Sequence, residues 1–381
     1  MSSVHRKRPW PTAGRTRGRS PPLLLAMAVM LDVFAGLALA GATGDTAPYA
    51  EVTHERGIEF PADFGSHPAF RTEWWYVTGW LTTTGGQPLG FQVTFFRTRP
   101  AVPEGNPSAF TPRQLIIAHA AISDPQRGRL WHDQRIERAG FGLAEAATDD
   151  TRVWVGHWRL ERKDESYTTS VTGEDFSLDL QFGNTQAPMR NGDAGVSRKG
   201  PEAAAASYYY SLPHLAVSGR VQRGGRTDGV TGTAWLDHEW SSEYLDPDAV
   251  GWDWIGVNLD DGGALMAFRI RDRDGAARWS GGSLRGADGH VEILNPADVR
   301  FVPGRAWTSP RSGIRYPVVW QVRAGARAFD LEPLMDDQEN DTRMSTGAIY
   351  WEGAVRATEH GKPAGRGYLE LTGYGEKLRL R

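Results

Sequence analysis

Cysteine is absent from this chain of 381 residues. Disulfide bonds, thiol catalysis and lipid attachment through an N-terminal cysteine are therefore excluded. A chain of this length can bury cores large enough to fold without disulfides, so the absence is compatible with export.

Motifs that carry well-known chemistries are also missing. The chain has no HExxH, no GxSxG, no phosphate-binding loop and no GxGxxG ahead of a helix. Four histidines show no metal-ligand spacing: His119, His132, His157 and His214. We therefore expect neither a metal nor a cofactor. The formal net charge of -3 makes a nucleic-acid partner unexpected.

Helical signals are scarce, and PEAAAAS (201–207) is the one short candidate. Strand-like alternation is frequent: FSLDLQF (176–182) places its Phe and Leu residues on one face and its polar residues on the other. GFQVTFF, VWVGHWRL, ALMAFRIR, YPVVWQV and GYLELTG are similar, with turn pairs such as Gly85-Gly86 between such runs. We predict an all-β protein of antiparallel strands, with a long loop at 183–206.

An internal echo predicts two related halves. WWYVTGWLTTTGG (74–86) and WDWIGVNLDDGGA (252–264) align without gaps, and each is followed by an apolar strand that ends in Phe-Arg. Two similar hairpins in one chain indicate duplication. We divide the chain into a first domain at 41–240 and a second at 241–381.

The N-terminus has the pattern of a signal peptide. Six basic residues precede the mostly apolar run LLLAMAVMLDVFAGLALA (23–40), which ends in a small-x-small pattern at Ala40. We expect residues 1–40 to be a signal peptide, cleaved near Ala40, and the protein to be periplasmic or secreted. The alternative is an uncleaved membrane anchor, against which Asp32 in the apolar run argues. No Arg-Arg pair supports a twin-arginine route.

A first aromatic cluster lies in HPAFRTEWWYVTGW (67–80). On a strand, Glu73 and Trp75 point to one face, and Trp74 and Tyr76 to the other. A carboxyl group against an indole acquires a raised pKa and suits a general acid. The alternative is an ordinary ion pair between Glu73 and Arg71 or another base. These four aromatic and acidic residues are candidate ligand-binding residues.

A second cluster lies in TAWLDHEWSSEYLDPDAVGWDW (233–254). His238 and Trp240 share a strand face, opposite Asp237 and Glu239. A histidine beside an indole, with carboxylates to orient it, is a candidate proton carrier. The alternative is a histidine whose hydrogen bonds are satisfied inside a barrel.

In the same stretch, Trp252 and Trp254 share a face and Asp253 points the other way. Two indoles at this spacing form a flat apolar wall, which suits either core packing or an extended ligand. We predict His238, Asp253, Glu239 and Asp237 as catalytic candidates. The candidate ligand-binding tryptophans here are Trp240, Trp252 and Trp254.

These motifs resemble the AttH-like family of exported proteins, which is related to the carotenoid 1,2-hydratases. The resemblance covers about residues 50–381 and includes RTEWWYVTGWL, FQVTFFR, AHAAISD, AWLDHEWSS, LMDDQENDTR, IYWEGAVR and GRGYLELTGY. It implies two consecutive lipocalin-like β-barrels, in agreement with the alternation and the internal echo.

The resemblance implies less about activity. Carotenoid hydratases add water to an isolated double bond without a cofactor, using a His-x-Trp followed by a Tyr-x-Asp. His238 and Trp240 match the first motif. The strand ALMAFRI, where the second motif is expected, offers Leu265, Met266, Ala267 and Phe268 and neither Tyr nor Asp. The hydratase reaction is therefore less supported than the fold.

Three hypotheses follow. The first is a cofactor-independent hydratase or hydrolase that binds an apolar isoprenoid or lipid-like ligand and uses His238 as its acid/base group. The second is a non-catalytic lipocalin-like carrier of the cell envelope, with a possible envelope or transporter partner. In the third, the aromatic clusters only seal the two barrels against each other.

Overall fold

The computed structural model describes residues 48–103 and 105–375. Within these ranges the chain forms strands and one short 3-10 helix, Ala62–Phe64. None of the described segments is a helix long and apolar enough to cross a membrane. The predicted signal peptide, residues 1–40, lies outside the described residues. The prediction of an all-β protein is confirmed.

The first sheet contains 13 antiparallel strands. They are β1 (Thr72–Thr83), β2 (Pro88–Thr98), β3 (Leu115–Asp124), β4 (Arg129–Arg138), β5 (Ala144–Ala146), β6 (Arg152–Val155), β7 (Trp158–Lys163), β8 (Ser166–Thr172), β9 (Phe176–Gly183), β10 (Met189–Arg190), β11 (Val196–Arg198), β12 (Ala206–Arg223) and β13 (Arg226–Ser241). Their order is β4-β3-β2-β1-β13-β12-β9-β8-β7-β6-β5, with β10 and β11 on β12. The ends of this order approach each other, because β3 lies near β5 and β6. The sheet is a nearly closed barrel, called here the first barrel.

The second sheet contains 10 strands. They are β14 (Gly251–Leu259), β15 (Ala264–Arg271), β16 (Ala277–Arg285), β17 (Val291–Leu294), β18 (Val299–Pro303), β21 (Trp320–Ala324), β22 (Arg327–Pro333), β23 (Glu339–Thr342), β24 (Ala348–Glu359) and β25 (Lys362–Leu371). Their order is β17-β16-β15-β14-β25-β24-β22-β21-β18, with β23 on β24. A separate hairpin pairs β19 (Ala306–Thr308) with β20 (Arg315–Pro317).

The echoed segments occupy equivalent places. Strand β1 lies between β2 and the last strand of its sheet, β13, and β14 lies between β15 and the last strand of its own sheet, β25. We call the β1–β13 and β14–β25 pairings the seams. Strands β1 and β14 each also place a buried acid opposite an arginine across the hairpin, Glu73 opposite Arg97 and Asp253 opposite Arg269. The first sheet ends at Ser241 and the second begins at Gly251. The division into domains at residue 240 stays a prediction.

Three apolar clusters form the core. One fills the first barrel, a second lies on the inner face of the second sheet, and a third lies between the two sheets. The third cluster combines Tyr76 and Trp235 of the first barrel with Trp254 and Met266 of the second sheet. The two sheets are therefore joined by a buried aromatic layer.

Two local predictions are wrong. PEAAAAS forms bends and a turn and then enters β12 at Ala206. Four alanines are too few to nucleate a helix, and the strand pairing of Ala206 with Arg198 on β11 takes precedence. The loop predicted at 183–206 contains the short strands β10 and β11, because both pair with β12.

Candidate functional site

Strand alternation distributes the predicted residues over three places. On β13, His238 and Trp240 point into the first barrel, whereas Asp237 and Glu239 point toward the second sheet. On β1, Glu73 and Trp75 likewise point inward, whereas Trp74 and Tyr76 lie between the sheets. On β14, Trp252 and Trp254 lie between the sheets, and Asp253 faces away from them. The predicted set is therefore not one site.

Inside the first barrel, Glu73 is the centre of a buried ion network. Its Oε1 lies 2.7 Å from His67 Nδ1 and 2.8 Å from His238 Nε2. Its Oε2 accepts a hydrogen bond from Arg97 Nε at 2.7 Å. The second nitrogen of His238, Nδ1, lies 3.0 Å from the hydroxyl of Tyr210. His238 therefore has a partner at both ring nitrogens.

The pKa values in this network contradict the expectation for Glu73. Burial alone would raise its pKa, but the charges of His67 and Arg97 and the hydrogen bonds from the two histidines hold the pKa well below the usual range. A lowered pKa does not suit a general acid, and Arg97 is a base that pairs with Glu73, at 2.7 Å. Burial lowers the pKa of His238, with Glu73 opposing that shift only in part.

Asp253 belongs to a second ion network, on the inner face of the second sheet. It lies 2.5 Å from Arg269 and 3.1 Å from Arg271, and it accepts a hydrogen bond from Tyr374 at 2.8 Å. Asp253 therefore lies apart from His238. His238 is beside the apolar cluster of the first barrel, and Asp253 is beside the apolar cluster of the second sheet. Its partners are those of a structural ion pair.

Between the sheets, Asp237 and Glu239 line a buried polar layer. Asp237 accepts hydrogen bonds from Ser211 at 2.5 Å, Tyr209 at 2.7 Å and Trp235 at 2.6 Å. Burial raises the pKa of Asp237 to about 7, although these three hydrogen bonds oppose the shift.

Glu239 has a cationic partner in the same layer. It pairs with Lys199 at 2.8 Å. Burial raises the pKa of Glu239 and lowers that of Lys199, while their mutual attraction opposes both shifts. The ammonium group also lies over the ring of Phe268, 4.2 Å from its centroid, and so bridges the two sheets.

A pair of glutamates from the second sheet completes this layer. Glu352 on β24 lies directly opposite Glu370 on β25, and we call these two residues the carboxyl pair. Burial and the charge of Glu370 raise the pKa of Glu352 well above its usual range. Burial raises the pKa of Glu370 to about 7, against a hydrogen bond from Trp252 at 2.8 Å. Like charges directly opposite each other on paired strands are unfavourable, so the two buried carboxyl groups do not both ionise readily.

Aromatic rings connect the carboxyl pair with the surface. Trp74 and Tyr244 meet edge to face at 4.9 Å, and Tyr244 meets Trp252 in the same way at 5.6 Å. All three are partly exposed, and Glu370 beside them is partly buried. Deeper in, Tyr76 packs against Trp254 at 5.3 Å. Three of the indoles predicted to bind ligand, Trp74, Trp252 and Trp254, thus lie beside the carboxyl pair, whereas Trp75 and Trp240 lie inside the first barrel.

Sequence reasoning missed several of these residues: His67, Arg97, Lys199, Tyr209, Glu352 and Glu370. A signal for the carboxyl pair was present, because IYWEGAVR and GYLELTG each place one glutamate inside an apolar run. A charge in such a run is costly to bury unless it is paired or neutralised. For His67 and Lys199 no comparable signal exists, since both come from irregular segments.

This arrangement offers a proton donor in apolar surroundings. A carboxyl group that stays protonated near pH 7 can protonate a weak base, and adjacent indole faces stabilise a developing cation. A water molecule that adds to the cation must give up a proton to a base. The carboxylate that remains after the first proton transfer can accept that proton.

Comparisons with known proteins agree with the architecture. The AttH-like family model matches residues 51–374. A crystal structure of a candidate AttH from Nitrosomonas europaea is 54% identical, with a TM-score of 0.81, covering 85% of this chain and 99% of that chain. A search of curated proteins gave no match.

Two more distant structures share the fold. Kievitone hydratase from Nectria haematococca is 16% identical with a TM-score of 0.64, covering 87% of this chain and 98% of that chain. CghA in complex with Sch210972 is 12% identical with a TM-score of 0.53, covering 87% and 96%. The predicted fold class, all-β with two consecutive lipocalin-like barrels, is confirmed as an all-β structure with one nearly closed barrel and a second sheet.

Proposed function

Because this chain belongs to the AttH-like family, we propose that it is a hydratase-type enzyme that acts on an apolar isoprenoid or lipid-like molecule. The likeness in fold to kievitone hydratase motivates the reaction class. The acid and base are the protein's own carboxyl groups, located between the two sheets.

The observation that carries this proposal is the carboxyl pair. Glu352 and Glu370 lie opposite each other with raised pKa values, and Trp252 donates a hydrogen bond to Glu370. Glu370, the partly accessible member, donates its proton to one carbon of a double bond. The indole faces of Trp252 and Trp254 stabilise the cation. Water adds to the other carbon and returns a proton to the pair, so the catalyst is regenerated.

The sequence-based hypothesis assigns proton transfer to His238. Both of its ring nitrogens have partners in the interior of the first barrel, Glu73 and Tyr210. The carboxyl pair instead lies beside the partly exposed aromatic residues Trp74, Tyr244 and Trp252. The proposal therefore moves the acid from His238 to the carboxyl pair and keeps three of the candidate tryptophans, Trp74, Trp252 and Trp254, as the ligand wall.

The test is incorporation of oxygen from labelled water. We expect a panel of acyclic isoprenoids incubated with the protein in H₂¹⁸O to yield an ¹⁸O-labelled water adduct by mass spectrometry. Glu370→Gln should lose at least about 100-fold of this rate, because a general acid contributes roughly 10²–10⁴-fold. The matched control, Glu332→Gln, changes an exposed glutamate of β22 and should leave the rate unchanged.

The second candidate function is a non-catalytic carrier of the same class of ligand. It is favoured by β15, which carries the buried residues Leu265, Met266, Ala267 and Phe268 where the resemblance to carotenoid hydratases leads one to expect Tyr-x-Asp. A carrier would return every isoprenoid unlabelled while tryptophan fluorescence still responds to the ligand. Equal labelling by the wild type and the Glu352→Gln, Glu370→Gln double variant would contradict our proposal.

Export is part of the proposal as well. We propose that residues 1–40 direct the chain to the periplasm or the medium and that an envelope or transporter protein is its partner. Cell fractionation combined with N-terminal sequencing tests this. A mature N-terminus next to Ala40 supports cleavage, and an intact N-terminus in the membrane fraction supports the anchor.

A further inference from the structure

Three side chains inside the first barrel, His67, Glu73 and His238, converge away from the carboxyl pair. We call them the tripod. His67 Nδ1, a carboxylate oxygen of Glu73 and His238 Nε2 all lie within 4.8 Å of one another. Glu73 Oε1 lies 2.7 Å and 2.8 Å from the two nitrogens. We propose that the tripod binds one divalent transition-metal ion, zinc or iron.

The donor set is the first argument. Two imidazole nitrogens and one carboxylate oxygen make up the protein ligands of many zinc sites with an open position and of non-haem iron sites. Arg97 binds the outer oxygen of Glu73, Oε2, at 2.7 Å, and so leaves Oε1 directed at the two imidazole nitrogens. The carboxylate is therefore placed to ligate through one oxygen.

The partners behind the ligands are the second argument. Ligating histidines nearly always engage their other ring nitrogen with a carboxylate, carbonyl or water, which fixes tautomer and orientation. His67 Nε2 lies 2.9 Å from Asp63, and His238 Nδ1 lies 3.0 Å from the Tyr210 hydroxyl. With Arg97 behind Glu73, every member of the tripod has an outer partner.

The walls of the tripod are the third argument. Trp240 stacks on His67 with ring centroids 3.7 Å apart, and Trp75 stacks on His238 at 4.7 Å. Three buried donors on residues that contact the tripod have no hydrogen-bond partner among the described residues: Nε1 of Trp75, Nε1 of Trp240 and Nη1 of Arg97. These donors suit an oxygen ligand such as a water molecule on the ion, which would complete its coordination.

The location gives the ion its role. Glu73 and His238 lie on β1 and β13, while His67 lies in the segment ahead of β1, together with Asp63. A metal ion there ties this N-terminal segment to the β1–β13 seam. The tripod and the carboxyl pair share no residues. Metal binding and the proposed hydratase activity can therefore be tested separately.

Metal binding itself is the test. The full chain, freed of any histidine tag and treated with a chelator, is titrated with Zn²⁺ and analysed by mass spectrometry of the metal. Co²⁺ replaces Zn²⁺ to give visible d–d absorption. We expect one ion per chain, a raised midpoint of thermal unfolding, and Co²⁺ bands typical of nitrogen and oxygen ligands.

Variants identify the ligands. His238→Ala and His67→Ala should abolish stoichiometric binding, whereas Asp63→Asn should weaken Zn²⁺ binding by about 10- to 100-fold through His67. The matched control His119→Gln changes a buried histidine outside the tripod and should retain one ion.

Folding of each variant is checked by circular dichroism. The Co²⁺ spectrum of the wild-type protein tests metal binding without depending on the folding of any variant. The proposal is overturned if wild-type protein binds no stoichiometric metal either as purified or after titration. It is equally overturned if His67→Ala and His238→Ala retain the wild-type Co²⁺ bands.

Discussion

At the scale of single residues, the buried carboxyl groups differ in what faces them. Glu73 and Asp253 face guanidinium groups, whereas Glu352 and Glu370 face each other and aromatic rings. The cationic neighbours hold the pKa of Glu73 well below its usual range, whereas burial raises the pKa values of Glu352 and Glu370. Burial is similar for Glu73, Asp253 and Glu352, so the neighbours decide the chemistry.

Replacing Glu370 by Gln should change how stability depends on pH. The folded pKa of Glu370 is raised to about 7 from 4.5, so the folded carboxyl keeps its proton where the unfolded one releases it. The contribution of the protonated Glu370 carboxyl to the free energy of unfolding is complete below the pKa of the unfolded state. It is lost as the pH rises through about 7. The titratable groups that face Glu370 are Glu352, Glu239, Tyr76, Tyr244 and Tyr350, and Trp252 donates a hydrogen bond to it.

We therefore expect Glu370→Gln to lessen the loss of unfolding free energy between about pH 5 and about pH 8 by on the order of 2 kcal/mol. Urea denaturation at both pH values measures this difference. Glu332→Gln is the control and should keep the wild-type slope. Parallel curves for wild type and Glu370→Gln would mean that the carboxyl is already ionised in the folded state.

Replacing Asp253 by Asn should act on stability and not on turnover. Its side chain is 0% exposed and that of Arg271 is 5% exposed, so the amide would leave buried positive charge uncompensated. Breaking such a pair costs roughly 3–5 kcal/mol. Urea unfolding measures the loss, with exposed Asp330→Asn as the control. A fully stable variant without turnover would restore Asp253 to the catalytic candidates.

The faces of these residues were predictable from the sequence, whereas their partners were not. Period-two alternation placed His238 and Trp240 opposite Asp237 and Glu239, as in the structure. Glu73 contacts His238 Nε2, and the two residues are 165 positions apart in the sequence. A local sequence pattern cannot predict a contact between residues so far apart. The direction of the Glu73 pKa shift depended on such partners.

At the scale of elements, strands were predicted well because alternation and turn pairs are local. The run VWVGHWRL became two strands, β6 and β7, joined by a turn at Gly156, whose φ of 57° favours glycine. Closure of a sheet depends on contacts between distant strands. The β1–β13 and β14–β25 pairings were therefore available only as the expectation of two barrels.

Strand β2 contacts the second sheet through Gly90, and alanine there should separate the sheets. A Cβ atom at Gly90 would lie 2.6 Å from the Tyr368 hydroxyl and 2.7 Å from Ala354. We expect Gly90→Ala to cost about 1–3 kcal/mol of unfolding free energy, measured in urea. Gly85→Ala is the control, because its nearest atom is 3.7 Å away.

Relief by a second substitution sharpens this test. Tyr368→Phe removes the hydroxyl that a new Cβ would meet, so the double variant should recover part of the loss. Non-additive recovery measured by a double-mutant cycle identifies the contact. Equal costs for Gly90→Ala and Gly85→Ala would contradict the close approach.

At the scale of the whole molecule, the two sheets share one buried layer. Trp80 donates a hydrogen bond to Gly367 at 3.0 Å, and Trp254 donates one to Tyr209 at 3.1 Å, both between the sheets. The third sequence-based hypothesis, in which aromatic residues seal the halves, describes part of this layer. Sealing alone does not account for the carboxyl pair.

Separating the halves should expose that layer. We expect a fragment of residues 242–381 to bind the dye ANS strongly and to aggregate, because Trp254, Met266 and Phe268 lose their cover. The full chain should bind little dye and should unfold in one transition followed by fluorescence and by circular dichroism. A soluble, dye-free fragment would show that the second sheet is independent.

The β1–β13 seam also determines how long β1 waits for its partner strand during translation. Thr72 pairs with Ser241 at one end of the seam, and Glu73 is made 165 residues before His238. At about 5–20 residues per second, the ribosome needs roughly ten to thirty seconds to supply the missing edge. During that interval β1 has one unpaired edge and its tryptophans lack their later neighbours. An unpaired strand edge is a template for pairing with other chains. The first barrel closes only after Ser241 has emerged.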